Sequence, residues 1–282
     1  MLRGLYTGAT GMKAEMNRMN TISNNLANVD TNGYKRDTSV SKAFPEMLLS
    51  RMKDSGQYKF PFGSVDVGPA VGKLGSGVEY NESYTEFEQG ELKQTGNPFD
   101  MSLDGKGFFV IDTPQGERYT RNGNFLINKQ GTLVTEEGNP VMGKNGEITI
   151  KKNNFVVDEK GNVYQNSDYS GDPRRLVSME ENEWQNMEQI DSLRVVDFND
   201  RRHLKKQGSS LWNNTPESGQ PQQVELGGEV KVEQGFLEKS NVNPVSEMVK
   251  MIEVNRAYEA NQKTMKTHDE LTGKLVNDML RM

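Results

Sequence analysis

An α+β fold, with two long terminal helices pairing as a coiled-coil-like layer beside a central, mainly antiparallel β domain, is the class this sequence predicts. Three observations carry that expectation. Near the N-terminus Leu5, Met12, Met19 and Leu26 recur every seven residues, with Ala9, Met16 and Ser23 between them. This is the narrow apolar stripe of a helix that packs against another helix. From Val245 to Met282 there is no proline and no glycine before Gly273, while Met248, Met251, Ile252, Tyr258, Met265, Leu275 and Met279 recur at helical intervals. Between these ends, glycines at 123, 131, 138, 146 and 161 punctuate short apolar runs, and Asn122-Gly123 and Asn145-Gly146 mark hairpin turns.

Taken in chain order, the first helix carries three methionines in its stripe, flexible side chains that fill irregular gaps against more than one neighbour. It stops at the asparagine-rich stretch "NNLANVDTNGYKRD", residues 24 to 37, and turns at Asn32-Gly33. Residues 41–88 contain Pro45, Pro61 and Pro69 and glycines at 63, 68, 72, 75 and 77, which reads as an extended connecting segment. The β domain with its return connection follows over 89–240. Its expected strands are "GFFVID" (107–112), "GTLVT" (131–135), "EITIK" (147–151), "FVVDE" (155–159) and "LRVVDF" (193–198). The last helix starts where Asn243 caps and Pro244 occupies a position that needs no N–H. Residues 1–40 and 241–282 together form the discontinuous helical domain, and the apolar surface that one antiparallel pair leaves wet is expected to pack on neighbouring copies.

Composition narrows the function. With a net charge of −6 over 282 residues and no basic stripe, nucleic acid is not an expected partner. The absence of cysteine excludes disulfides and thiolate metal sites. The only histidines, His203 in "RRHLKK" and His268 on the last helix, fall in no metal-ligand or nucleophile–base spacing, so no catalytic, metal or cofactor residue is assigned. "GPAVGKLG" (68–75) is one residue short of a phosphate loop and has Leu74 where a hydroxyl should sit, and "GKGFFV" (105–110) lacks the third glycine of a dinucleotide fingerprint. The rival reading is a peptidoglycan hydrolase or wall-binding module built on Glu79, Glu82, Glu86, Glu88 and Glu91, which would need two carboxylates held across a sugar. Their interleaving with Tyr80, Tyr84 and Phe87 fits a half-exposed structural segment instead.

Three blocks then carry a resemblance. "TISNNLANVDTNGYKRD", the 89–143 block beginning "QGELKQTGNPFDMSLDGKGFFVIDTPQGERYTRNGNF", and "SNVNPVSEMVKMIEVNRAYEANQKTMKTHDEL" (240–271) together resemble the bacterial flagellar basal-body rod and hook family. Within it the chain is most similar to the distal rod type or its proximal neighbour. The resemblance implies a non-enzymatic subunit that assembles helically into a hollow, torque-transmitting shaft. Its terminal helices would face a central channel and its β domain would lie outside. Implied partners are further copies of itself, neighbouring rod and hook proteins and the flagellar export apparatus, with ring proteins and peptidoglycan around the rod as further candidates. The implied location is the envelope-spanning rod, reached without a cleavable signal peptide. Carried over by position, the assembly residues are Leu5, Met12, Met16, Met19, Asn24, Asn25, Leu26, Asn28, Gly33 and Tyr34 at the front. Asn241, Asn243, Met248, Ile252, Arg256, Tyr258, Met265 and Leu275 are their counterparts at the back.

Overall fold

The computed structural model describes residues 2–50, 57–61, 63–66, 70–150, 155–166, 187–208 and 210–279. They divide into two compact units: Met1–Asn24, Asp37–Tyr84 and Val245–Met282 form one, and Asn25–Arg36 with Thr85–Pro244 form the other. Of the segment 150–175, which the sequence left unplaced, residues 151–154 and 167–175 lie outside the described residues.

The first unit holds the two helices, α1 (Leu2–Ala27) and α2 (Pro244–Met279). Pro244 is the first residue of α2, so Asn243 stands at its cap position. At 36 residues this helix runs about 54 Å. The helices lie antiparallel, because Gly4, Gly8 and Gly11 of α1 face His268, Met265 and Asn261 of α2 in that order. A Cβ added at Gly4 would stand 2.5 Å from the His268 ring, at Gly8 2.8 Å from Met265 Cγ, and at Gly11 3.0 Å from Asn261 Nδ2. Missing side chains therefore let those of α2 lie against the α1 backbone. Each such glycine weakens an isolated helix by about 1 kcal/mol relative to alanine, so α1 owes its first three turns largely to α2. Among the described residues, Ala14 and Ile22 of α1 and Val254 of α2 are the buried apolar side chains of the pair.

The same unit carries six strands in nested pairs: β1 (Asp37–Ala43) with β6 (Val78–Thr85), β2 (Met47–Ser50) with β5 (Ala70–Leu74), and β3 (Gln57–Phe60) with β4 (Gly63–Asp66). The segment expected as an extended connection thus doubles back on itself, with Pro45 and Pro61 falling between strands; Pro69 lies outside the described residues.

Among the described residues the second unit is built mainly of β-strands, with the last turn of α1 and one short 3-10 helix (Arg201–His203). It comprises β7 (Leu92–Gln94), β8 (Met101–Asp104), β9 (Phe108–Thr113), β10 (Gly116–Thr120), β11 (Phe125–Ile127), β12 (Leu133–Thr135), β13 (Phe155–Val157), β14 (Asn162–Asn166) and β15 (Met187–Ser192). There follow β16 (Val195–Asp197), β17 (Lys205–Lys206), β18 (Leu211–Asn213), β19 (Gln222–Gln223), β20 (Lys231–Gln234) and β21 (Phe236–Glu238). One six-stranded sheet, in the order β17-β18-β10-β9-β16-β19, organises the rest. The alternation of strand side chains divides its core in two. Phe109 and Val195 join Phe125, Leu133, Ile148, Ile150 and Phe155 on one face. On the other, Phe108, Val110 and Val196 join Tyr119, Phe198 and Trp212. Both faces being covered, β9 reads as a continuous apolar run and not as an alternating one.

Four of the five expected strands form, and "EITIK" does not. Ile148 and Ile150 are fully buried, but the segment makes only single bridges, Glu147 to Met142 and Thr149 to Thr132. Its apolar alternation serves core packing without a continuous ladder, and Lys151 lies outside the described residues. A regularity that the spacing alone did not announce is a repeated hairpin, "FLINKQGTLVT" at 125–135 and "FVVDEKGNVYQ" at 155–165. In both, the first loop residue accepts backbone N–H groups two and four residues on: Asn128 Oδ1 from Gln130 and Thr132, and Asp158 Oδ1 from Lys160 and Asn162. Gly131 and Gly161 supply the positive φ that closes each loop.

Candidate assembly surfaces

In the helical unit the face of α2 turned away from Val254 exposes an apolar stripe. Val245, Met248, Val249 and Ile252 recur at positions i, i+3, i+4 and i+7, and Ile252 is 52% exposed. Toward its other end α2 exposes Leu271, Leu275, Val276 and Met279. Since His268 already faces Gly4, the last turns of α2 run past the start of α1. Among the described residues, Tyr6 and Met16 are the exposed large hydrophobic side chains of α1. Clustered apolar surface of this kind marks an interaction face. Glu247, in the first turn of α2, is buried and accepts from Lys250 Nζ at 2.6 Å, a placement that also suits the positive end of the helix.

In the β unit a second set of contacts gathers every point at which the chain enters or leaves. The Tyr34 hydroxyl donates to Asn25 Oδ1 at 3.2 Å. The Arg36 N–H donates to Asn241 Oδ1 at 2.8 Å, while the Arg36 guanidinium pairs with the Glu86 carboxylate. Asn241 Nδ2 donates to the Glu86 carbonyl at 2.9 Å, and the Gly33 N–H to the Glu238 carbonyl at 2.7 Å. Gly33 has φ +67°, and a Cβ there would stand 2.5 Å from the Asn122 backbone nitrogen, so only glycine fits this turn.

At the centre of this collar is a buried charge triad. Lys35 Nζ donates to Glu238 Oε1 at 2.5 Å and to the Glu88 carbonyl at 2.6 Å. Arg121 contacts the other oxygen of the same carboxylate, Nη1 to Oε2 at 3.3 Å, and donates through Nη2 to the Gly105 carbonyl at 2.6 Å. The Gly90 N–H completes the set on Glu238 Oε1 at 2.9 Å. Lys35 and Glu238 are each 1% exposed and Arg121 is 4% exposed. Burial pushes the Lys35 ammonium and the Arg121 guanidinium down from their ordinary values, and the Glu238 carboxylate opposes that in both cases. Lys206 Nζ lies over the Tyr34 ring, 3.9 Å from its centroid, and donates to the Lys35 carbonyl at 3.3 Å.

The assembly residues expected from sequence divide between the two sites. Met248, Ile252, Arg256 and Leu275 lie exposed on α2 and Met16 on α1; Leu5, Met12, Met19, Tyr258 and Met265 are half-buried in the helical unit, where Asn24 is exposed. Asn25, Gly33, Tyr34 and Asn241 are brought together in the collar, with Leu26 and Asn28 half-buried in the same unit and Asn243 exposed. Sequence reasoning missed Gly4, Gly8 and Gly11, whose recurrence on one face of a helix was the available signal. It also missed the pairing of Lys35 and Arg121 with Glu238, which come from three distant segments and leave no local pattern. Of the acidic residues weighed for hydrolysis, Glu86 is committed to Arg36 and Glu91 pairs with Lys239 at 3.0 Å, while the interleaved Phe87 packs on Phe108 and Trp212 with centroids 5.4 and 5.6 Å away.

A β unit entered and left through one polar collar, together with antiparallel terminal helices that expose apolar stripes, defines a class of building block with surfaces suited to association. Comparison with known proteins gives the same class a lineage. Three family models match in chain order: flagella basal body rod protein over residues 5–35, flagellar hook protein FlgE/F/G D1 domain over 102–165, and flagellar basal body rod FlgEFG protein C-terminal over 233–279. The flagellar basal-body rod protein FlgG of Buchnera aphidicola from Schizaphis graminum is 34% identical over 98% of this chain and 99% of its own length. FlgG of Borreliella burgdorferi is 32% identical with both chains fully covered, and the flagellar hook-basal body complex protein FlhO of Bacillus subtilis is 33% identical over 99% of each. The chain belongs to the flagellar basal-body rod FlgEFG family and is a FlgG-like, non-enzymatic structural subunit of the rod. Membership places it in the flagellar basal body and implies assembly with rod and hook proteins.

Proposed function

We propose that this subunit polymerises through its terminal helices into a helical, hollow shaft that transmits torque, with further copies of itself as the main partner and rod and hook proteins at the two ends. Residues 1–40 and 241–282 act as the assembly domain, 41–88 as the connecting segment, and 89–240 as the outer β domain. The observation that carries this reading is the stripe Met248, Val249 and Ile252, exposed on a helix whose opposite face is already occupied by α1. Two separate apolar patches, one toward each end of α2, suit a heterologous contact between different parts of the helix, which propagates and does not close. Delivery by the flagellar export apparatus, and contact with ring proteins and peptidoglycan, follow from the family's place in the envelope.

The test compares full-length protein, an Ile252→Glu variant, and a version lacking 1–40 and 241–282, by sedimentation and electron microscopy over a concentration series seeded with basal-body fragments. Full-length protein should form tubes while the other two stay monomeric with an intact β signature. Tubes from the truncated version would overturn the reading.

A further inference from the structure

The collar contains one feature that packing does not require. Two cations and a single carboxylate are buried together, and they come from three parts of the chain: Lys35 follows α1, Arg121 follows β10, and Glu238 ends β21 shortly before α2. The next charges close enough to act on Arg121, Asp197 and Arg201, are paired with each other at 2.6 Å and add no net charge. Among the described residues, Glu238 is therefore the carboxylate that both cations touch.

We propose that Glu238 is a counter-ion latch that makes docking of the 33–36 segment conditional on the arrival of β21. With Glu238 in place, Lys35 has both of its partners and the backbone of 33–36 is fixed through Gly33 to the Glu238 carbonyl and through Arg36 to Asn241. Without Glu238, Lys35 and Arg121 would be two like charges in a site closed to water, a state avoided by expelling the lysine, which has a flexible stem and a segment that can move with it. Arg121 is the fixed member, since it also donates to the Leu103 and Gly105 carbonyls and lies 5.6 Å from the Phe108 ring centroid. The path that leads out of α1 and the path that leads into α2 are then locked together or released together. A subunit whose last strand has not joined cannot fix its first crossing.

Hydrogen exchange on the full-length monomer tests this with Glu238→Gln, Lys35→Met, and the two combined. The latch requires Glu238→Gln to raise exchange over 33–36 and 86–90 by at least about tenfold while β9 stays protected. Adding Lys35→Met should restore most of that protection, because the repelled cation is gone. Unchanged exchange over 33–36 in Glu238→Gln would overturn the proposal, as would an equal rise throughout β9 or a double variant as open as the single one. If Glu238→Gln alone does not fold, the double variant decides: folding with a protected collar upholds the latch, and failure to fold overturns it. None of these outcomes depends on whether the protein forms tubes, so the latch can fail while the assembly reading stands.

Discussion

Gly33 shows how much a single position can decide. Its left-handed conformation and the 2.5 Å approach to the Asn122 backbone leave no room for a side chain, and the atoms in the way are backbone and not the tip of a flexible side chain. Gly33→Ala is expected to cost about 1–3 kcal/mol in chemical denaturation, more than the few tenths typical of a surface turn. The asparagines around it were legible in sequence as turn formers, and Asn25 does accept from Tyr34. The charge partners were not legible. Lys35 lies 203 residues from Glu238 and Arg121 lies 117 from it, and one sequence records no pairing across such distances. The five glutamates from Glu79 to Glu91 left room for a rival hydrolase reading for the same reason. Their alternation with Phe87 was visible, but the Arg36 that neutralises Glu86 is 50 residues away.

Among the elements, the helices were the easiest to read and the easiest to misjudge in detail. Periodicity gave their existence and near limits, and the cap at Asn243-Pro244 placed the start of α2. It pointed to Leu5, Met12 and Met19 as the packing stripe, whereas the close approach is made by Gly4, Gly8 and Gly11 beside them. Hydropathy weighs what a side chain contributes and passes over positions that act by having none. At Gly8 an alanine should be nearly neutral, since the gain in helix propensity of about 1 kcal/mol is offset by moving the flexible Met265 side chain. Gly8→Leu should instead separate the pair and lower the helical circular dichroism of the monomer, because α1 alone has three glycines in its first eleven residues; an unchanged spectrum would show that α1 does not depend on α2. The strands show the same limit. Fully buried Ile148 and Ile150 gave a strand-like pattern, but whether a ladder forms depends on which neighbours arrive opposite, and there only isolated bridges do.

For the whole molecule, stability should depend on acid through Asp197. Burial alone would push its carboxyl up, but the bidentate Arg201 guanidinium, at 2.7 and 2.6 Å, and the Phe198 N–H outweigh that and hold it below the ordinary carboxylate range. The folded state then binds fewer protons than the unfolded one in the interval between the two values. The contribution is full above the ordinary carboxylate range and is lost as pH falls toward the depressed value. Asp197→Asn should flatten that part of the acid limb in denaturant midpoints measured against pH, and an unaltered slope would remove Asp197 from the account.

By itself the sequence determined that this protein has two long helices around a glycine-punctuated β region, that its two histidines fall in no metal-ligand or nucleophile–base spacing, and that it resembles rod and hook subunits. These are local or compositional properties, carried by spacing, turn residues and motif blocks. Tertiary structure alone decided that glycines bring α1 and α2 together, that the 41–88 segment folds back in nested pairs, and that Lys35, Arg121 and Glu238 meet in one collar. Each of these depends on contacts between residues far apart in the chain, where the free energy of burial and charge pairing is set by neighbours that no short stretch can specify.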